Sequence, residues 1–550
     1  MYGTETYTIM IPSIFLVLAF CDVLSVYSQV AKKPNIVVIM ADDMGSHDMS
    51  FLGMNQFYTP NIDAMAAHGT IMNHHYTPNL CTPSRAAFLT GRDPMNIGMQ
   101  HYVIPNEEPW GLPLKEVLMP EVFRANGYKT HLVGKWHLGF HEKEFTPLNR
   151  GFDTHFGYYG GYISYYTHST NCLILQGCNL GVDFRSGFKT NFTVNGRYAT
   201  DLFTDEAIRR IEEHDESKGL FLVISHLAAH TGSETDPLEA PPEIVEKFNY
   251  IQDENRRKYA AMVYKLDQGI GKVFLSLKRK GILEDTIVLF YSDNGAPTRG
   301  IFSNAGSNYP LRGQKASPWE GGIRGTAVLW SKQIRKPGYV FDQVMSVTDW
   351  FPTFLKAANI KYCGKLDGID LWDQIIGRRR MNIRRRIVHV LDEIFGYTSI
   401  RDAMWKYVNG TVQNGLNDVW LGTIGNETDG VTEHISVVKY SKVGQVLSKY
   451  FTITSEKLKK IKSKLKISCP SRTVIACNPL EKPCLFNINT DPCERINLAD
   501  NYPKLMSYFD GLVAFMQWKA VPSARVAFPD PQSNPAFHNN TWTWWGSNDY

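Results

Sequence analysis

Asn35-Ile36-Val37-Val38-Ile39-Met40 is an unbroken, mostly β-branched run that passes straight into Ala41-Asp42-Asp43-Met44-Gly45. A strand with one wet face alternates apolar and polar residues. This one does not, so it reads as a strand covered on both faces, as in a parallel sheet. The pattern recurs at Thr286-Ile287-Val288-Leu289-Phe290-Tyr291, which runs into Ser292-Asp293-Asn294-Gly295. Between them, apolar residues at Met262, Val263, Leu266, Ile270, Val273 and Leu277 predict a helix over 257–279, closed by Gly281. Helix, buried strand and acidic tip make one parallel α/β unit with a right-handed crossover. Further strands are expected at 70–76, 130–133, 220–225 and 328–330, and helices at 61–68, 118–126, 200–213 and 349–358. The expected fold class is α/β, a large mixed and mostly parallel sheet flanked by helices.

Two adjacent carboxylates at the tip of a buried strand are costly unless something neutralises them. They can cap a helix or sit in an exposed turn. They can also bind a cation, because ligands in open α/β sheets lie beyond the carboxyl ends of the strands. Asp42, Asp43, Asp293 and Asn294 are all hard oxygen donors at the ends of two strands that can be neighbours. That set suits Ca²⁺ better than Zn²⁺, since no Cys–His cluster accompanies it.

The 550 residues exceed one ordinary core, which argues for a large domain and a smaller one. An apolar content of 43%, a charged content of 20% and a net charge of +4 exclude a disordered chain and give no sign of nucleic-acid binding. The apolar run 9–21, with small residues at 26–28, reads as a cleaved signal peptide over 1–28. A signal anchor is the alternative, since the segment lacks a basic start. No later stretch is apolar enough to span a bilayer. Of the nine cysteines, Cys21 falls in the signal segment and Cys81 has its own context. In an oxidising compartment most of the rest should pair. Cys172 and Cys178 bracket a short loop. Cys469, Cys477, Cys484 and Cys493 staple the C-terminal region in an undetermined connectivity, which leaves Cys363. Sequons at Asn191, Asn409, Asn426 and Asn539 fit a secreted glycoprotein. Composition shifts near residue 390, which predicts domains over 33–390 and 391–550, the second a smaller α+β unit with an antiparallel sheet. The Lys-rich stretch 439–466, with Glu456 as its only acid, reads as a solvated face or as a patch for acidic polysaccharide. The segment 485–498 reads as a hairpin leading into a last helix over 503–519.

Cys81-Thr82-Pro83-Ser84-Arg85 continues into Ala86-Ala87-Phe88-Leu89-Thr90-Gly91-Arg92. Pro83 restricts the backbone, and Ser84 suits a helix N-cap with the helix running over 85–90. Cys81 thereby stands beside backbone N–H groups and an arginine, a site suited to anions. A disulfide partner or an inert core thiol is the plainer reading. Gly134-Lys135-Trp136-His137-Leu138-Gly139 follows a strand and places Lys135 and His137 on one side if extended.

Cys-x-Pro-Ser-Arg followed by Leu-Thr-Gly-Arg resembles the signature of the type I sulfatases, and Gly-Lys-Trp-His-Leu-Gly resembles their second signature. The resemblance covers roughly residues 33–545 and is strongest to the arylsulfatase B (N-acetylgalactosamine-4-sulfatase) branch. Pro-Leu-Arg-Gly-Gln-Lys at 310–315, Trp-Glu-Gly-Gly at 319–322 and Asn-Leu-Ala-Asp-Asn-Tyr-Pro near 500 add to it. It implies an alkaline-phosphatase-like fold and hydrolysis of sulfate esters. Cys81, converted to formylglycine by a formylglycine-generating enzyme, would be the nucleophile. Asp42, Asp43, Asp293, Asn294 and the residue-81 oxygen would hold Ca²⁺. Arg85 would neutralise the attacking hydroxyl and Asp293 would help deprotonate it. Lys135, His230 and Lys315 would bind the sulfate, with His230 and Lys315 protonating the leaving alcohol. His137 would take the proton that releases sulfate. The resemblance places the chain in the secretory pathway, lysosomal or extracellular, acting on a sulfated sugar or glycoside. Thr231-Gly232 after His230, Ala296, Ala316 and Pro318 depart from the close relatives around the pocket. They leave a small sulfated glucoside, such as a glucosinolate, as an alternative substrate. Two further rivals are a phosphate-ester hydrolase of the same superfamily and a non-catalytic glycan-binding pseudo-sulfatase. The single hard-ligand site argues against the first. The intact set Cys81, Arg85, Lys135, His137, His230 and Lys315 argues against the second.

Overall fold

Strand β1 (Asn35–Ala41) is buried along its whole length, and its residues divide between two cores. Val37, Ile39 and Ala41 enter one hydrophobic cluster; Ile36, Val38 and Met40 enter the other. This is the both-faces-covered strand that the unalternating sequence requires. The computed structural model describes residues 32–233, 236–300, 302–379, 384–422, 434–469 and 474–546. The expected signal segment and the sequon at Asn426 lie outside the described residues. The described residues from Pro34 onward pack as one unit.

The remaining strands are β2 (Thr70–Tyr76), β3 (Tyr128–Lys135), β4 (Thr154–Tyr158), β5 (Ser169–Thr170), β6 (Gly181–Val182), β7 (Arg185–Ser186), β8 (Lys189–Thr190), β9 (Gly219–Ser225), β10 (Thr286–Ser292), β11 (Ala327–Trp330), β12 (Tyr339–Ser346), β13 (Arg386–Asp392), β14 (Tyr397–Asp402), β15 (Trp405–Asn409) and β16 (Cys484–Asn487). Ten of them form one sheet in the order β12-β2-β11-β10-β1-β9-β3-β4-β7-β8. Its centre is parallel, with β1 between β10 and β9 and β3 next to β9. Only β11 and the short β7–β8 edge run antiparallel to their neighbours. The α/β expectation therefore holds. β13 to β16 form a separate four-stranded antiparallel sheet, the expected smaller C-terminal element.

Helices cover both faces of the large sheet. On the Val37 side lie α1 (Pro60–His68), and further along the chain α4 (Ala199–Glu212) and α5 (Glu254–Lys280). On the Ile36 side lie α2 (Cys81–Thr90), α3 (Met119–Ala125) and α6 (Trp350–Ala357). The chain then returns to the first face. Beyond α7 (His434–Lys439), the helices α8 (Lys442–Leu447) and α9 (Ser455–Leu465) bury Val443, Leu447, Leu458, Ile461 and Leu465 in the Val37 cluster. The last helix, α10 (Pro503–Lys519), packs Phe509 and Val513 on the small sheet.

Two local expectations are corrected. Helix α2 starts at Cys81, not at Arg85, and its N-cap is Leu80 in extended conformation. Pro83 is tolerated because the first turn has no intrahelical use for its missing N–H, and the Ser84 amide already donates to Leu80 O (3.1 Å). The segment 485–498 closes on itself through one backbone bond, Leu498 N–H to Leu485 O (2.8 Å), but forms no hairpin ladder. β16 pairs with the distant β15, while Asn497 Oδ1 accepts the Leu485 amide (3.1 Å). Cys172–Cys178, Cys469–Cys493 and Cys477–Cys484 are disulfides, and Cys363 is free and exposed. Asn191 caps the turn Phe192–Val194, Asn409 ends β15, and Asn539 is exposed. Among the described residues no helix is long and apolar enough to cross a membrane.

Candidate active site

The register of β1 against β10 sets Ala41 beside Ser292. The next residues on each strand, Asp42-Asp43 and Asp293-Asn294, therefore leave the sheet side by side. Asp43 takes a left-handed backbone (φ 59°), and its amide donates to Asp293 Oδ1 (3.2 Å). Asn294 Nδ2 donates to Asp43 Oδ1 (2.6 Å). All four side chains are buried.

Three cations come to the three carboxylates from three other elements. Arg85 on α2 donates to Asp293 Oδ2 (2.8 Å) and Ser225 Oγ (2.5 Å), and lies 3.5 Å from Asp42. Lys135 at the end of β3 reaches Asp42 Oδ2 (2.6 Å). Gly134 makes that approach possible: its φ is 103°, and a Cβ there would lie 1.9 Å from Ser225 O on β9. Lys315, from the long loop after β10, reaches Asp43 Oδ2 (2.7 Å). His230 Nε2 stands 3.4 Å from the same oxygen, while its Nδ1–H donates to Thr231 O (2.8 Å).

Cys81, at the first turn of α2 and 1% exposed, points its Sγ at this group. It is 3.6 Å from Asp42 Oδ1 and 3.9 Å from Asp43 Oδ1. Burial holds the thiol well above its ordinary pKa, with Lys135 and Lys315 opposing. An unmodified Cys81 is therefore a neutral thiol here, a poor nucleophile. Burial also pushes Asp42 up, but Lys135 and Arg85 outweigh it and the carboxyl ends below its usual range. Asp293 goes the other way, raised by burial and by the Asp42 charge. Burial pulls Lys315 down, but Asp43, Cys81 and Asp42 together outweigh it and the ammonium ends above its usual range. His137 does not continue the β3 extension as expected. β3 ends at Lys135, and His137 turns left-handed (φ 58°), so the extended alternation is broken, while the ring still lines the cleft. Its Nε2–H donates to Ile104 O (3.1 Å), which leaves Nδ1 buried, unprotonated and without a hydrogen-bond partner. Burial and the Lys135 charge hold it neutral.

Of these residues Cys81, His137, His230 and Lys315 line one cleft, whose empty volume is about 1100 Å³ including the mouth. The sequence did not mark several of its wall residues. Tyr102 and Ile104 come from the loop after α2, and Gln413 and Asn417 come from the loop after β15 in the other sheet. Ser225 and Asn304 were also missed. Asn304 Nδ2 ties Asp43 O (2.8 Å) to Ala229 O (2.9 Å). No sequence periodicity points to any of these; only proximity in the fold does. The aromatic run 158–166 supplies Tyr162, stacked on His230 at 5.8 Å, as a pocket wall.

Asp42, Asp43, Cys81 and His230 offer ligand atoms within 4.8 Å of one another. A resident cation is tested by the Asn294 amide oxygen, a buried atom with no hydrogen-bond partner. Buried acceptors are rarely left so. Asn294, Asp42, Asp43 and Asp293 offer hard oxygens that fit Ca²⁺, while Cys81 and His230 are softer donors beside them.

Residues 34–360 match the family model described as Sulfatase. The chain belongs to the sulfatase family. This sulfatase is 34% identical to mouse (Mus musculus) arylsulfatase J over 523 residues, 93% of this chain and 80% of that protein. It is 33% identical to the N-acetylgalactosamine-6-sulfatase of Mus musculus over 64% of this chain and 68% of that one. It is 30% identical to human (Homo sapiens) arylsulfatase A over 74% of this chain and 80% of that one. Among solved structures, the complex of Ps i-CgsB with k-i-k-neocarrahexaose superposes with a TM-score of 0.69 at 24% identity, over 92% of this chain and 97% of that one. PsFucS1 sulfatase from Pseudoalteromonas sp. gives 0.61 at 21%, over 94% and 97%. These two likenesses show the shared fold. The sulfatase is a sulfuric ester hydrolase.

Proposed function

We propose that the protein hydrolyses the sulfate ester of a sulfated sugar, with Cys81 converted to formylglycine and one Ca²⁺ held by Asp42, Asp43, Asp293 and Asn294. The observation that carries this is the placement of Cys81 Sγ within 4 Å of both Asp42 and Asp43, on a buried helix start between Lys135 and Lys315. Formylglycine would supply an oxygen nucleophile toward sulfur, and the cation would offset the charge of the sulfate and its ligands.

The chain's own residues do the rest. Lys135, buried at Asp42, and Lys315, half-buried at Asp43, are placed to bind sulfate oxygens as point charges. Arg85 holds Asp293 and Asp42 in position and neutralises the reacting hydroxyl. Asp293, pushed up by burial, is suited to share that proton. His230, with Nδ1–H tied to Thr231 O, presents Nε2 toward the cleft and, with Lys315, serves the leaving oxygen. His137, neutral with a free Nδ1, accepts a proton from residue 81. Maturation requires a formylglycine-generating enzyme, and the disulfides fit the secretory pathway, with a lysosomal or extracellular destination.

Tyr162 and Phe302 give the cleft aromatic faces for a sugar ring. The 4-sulfated N-acetylgalactosamine unit is the first candidate, and the similarity to N-acetylgalactosamine-6-sulfatases supports an aminosugar. Sulfate release from 4-nitrophenyl sulfate, N-acetylgalactosamine 4-sulfate and its 6-sulfate isomer tests this. Release from an aminosugar sulfate supports the reading. Turnover of the aryl sulfate with both aminosugars untouched removes the aminosugar.

A further inference from the structure

The fold sorts the lysines of the stretch 439–466, which the catalytic site does not use. Lys449 Nζ lies 2.6 Å from Glu284, Lys457 Nζ donates to Pro337 O, and Lys439 lies over the ring of Tyr440. Lys462 and Lys466, at the end of α9, instead form one wall of a second groove. Its empty volume is about 1360 Å³ including the mouth. The facing walls carry His47, Asn73, Tyr309 and Arg324. No Asp or Glu lines it among the described residues, and no ion pair joins Lys462 or Lys466 there.

The groups divide by role. Arg324 is already committed: it donates to Asn73 O (2.8 and 3.0 Å) and lies 3.9 Å from Glu320. Burial pulls the Lys462 ammonium below its ordinary pKa, with only Asp63 opposing. An incoming anion would relieve that cost. Tyr309 is 38% exposed and meets the His47 ring edge-on at 5.2 Å, which leaves it available to a sugar ring. His47 is held down to about 4 by burial, so it offers hydrogen bonds rather than charge. The loop over 296–319 lines both hollows, with Pro297, Gln314 and Lys315 in the catalytic cleft and Tyr309-Pro310 in this groove.

We propose that this groove is a second saccharide site, outside the catalytic cleft, that takes an acidic sugar unit with Lys462 and Lys466 on its anionic group and Tyr309 against its ring. The choice of a sugar among possible anions rests on the saccharide reading of the catalytic cleft. The two readings are measured separately, one by binding and the other by sulfate release.

The test uses the full chain carrying Cys81→Ala, so that nothing turns over, and a chondroitin sulfate hexasaccharide in calorimetry. Binding that weakens as salt rises is expected. Adding Lys462→Gln and Lys466→Gln should raise Kd by about tenfold or more, since two charge-assisted contacts are lost. Lys462→Arg with Lys466→Arg should keep most of the affinity. In the otherwise wild-type enzyme, the Gln pair should leave 4-nitrophenyl sulfate hydrolysis and Tm unchanged. Desulfated hexasaccharide divides the ligand: retained binding assigns the lysines to the uronate, lost binding to the sulfate. The proposal is overturned if the hexasaccharide does not bind, or if the Gln pair binds it as the parent does. It is also overturned if the Arg pair loses it, if aryl sulfate turnover falls with the Gln pair, or if a single-stranded oligonucleotide of equal charge binds as tightly.

Discussion

Arg85 Nη2 and Asp293 Oδ2 meet at 2.8 Å from positions 208 residues apart, with both groups closed off from solvent. The contact joins the start of α2 to the tip of β10 and thereby fixes Cys81 over the carboxylates. Arg85→Gln leaves Asp293 and Asp42 short of a buried counter-charge. The expected loss is about 3–5 kcal/mol of stability, read as a fall in Tm and in the denaturant midpoint. An unchanged midpoint would show that the pair adds nothing net.

Cys81→Ser should fold as the parent does, since the side chain is nearly isosteric, yet lose turnover. An ester oxygen on serine has no geminal hydroxyl with which to expel sulfate, so a sulfated serine is expected. Peptide mass spectrometry across residue 81 reads both the parent's conversion to formylglycine and the variant's adduct. An unmodified thiol in fully active parent enzyme contradicts the mechanism.

Asp42→Asn and Asn294→Leu should each lower calcium content and activity together, because the site is built from hard oxygens. Metal analysis of purified protein is the readout. Calcium at parental stoichiometry in both variants removes these residues from the ligand set.

Acid should destabilise the protein over a window set by buried neutral imidazoles. His75 and His155 are held down to about 3 by burial, and His75 accepts the Trp350 indole N–H at 3.0 Å. Their folded pKa values lie below the unfolded value near 6.5, so the unfolded chain binds more protons between the two. The stability they contribute is complete above about 6.5 and is lost as pH falls toward 3. His75→Gln should flatten the slope of unfolding free energy against pH in that window. An identical slope would exclude His75 as a contributor.

Reduction should lower Tm. Cys469–Cys493 closes the longest of the three disulfide loops, with a separation of 24 residues, against 6 and 7 for the others. Chain-entropy reasoning assigns it about 3 kcal/mol. Cys469→Ser with Cys493→Ser should therefore cost more than Cys172→Ser with Cys178→Ser. The reverse order would put the stabilisation elsewhere.

The strands of the large sheet were legible because burial on both faces removes alternation, and β1 and β10 show this plainly. Their acidic tips were legible for a related reason: charge directly after such a run has to be neutralised. Ser225, Asn304 and Gln413 were not legible. Each reaches the site through a polar contact or a loop course that only the closed fold defines, and single polar residues carry no period. The start of α2 was misread because Ser84 has the chemistry of a cap, whereas Leu80 caps through its backbone alone. The lysine run 439–466 was read as uniform, but helix periodicity turns Leu458, Ile461 and Leu465 inward and carries Lys462 and Lys466 to the rim of a groove.

The central position of β1 also bears on the order of events during synthesis. Its neighbours β9 and β10 are made long after it, and so is Asp293, the partner of Arg85. At ribosomal speeds of about 5–20 residues per second, the 208 residues between Arg85 and Asp293 take roughly 10 to 40 s to emerge. Throughout that interval Cys81 belongs to a nascent chain whose sheet cannot close. Once it closes, the thiol is 1% exposed and beyond the reach of another protein. On the proposed mechanism, oxidation of Cys81 is thus a race against elongation, and a codon change or chaperone that alters the pace between residues 81 and 293 would alter the fraction of converted enzyme without changing a single amino acid.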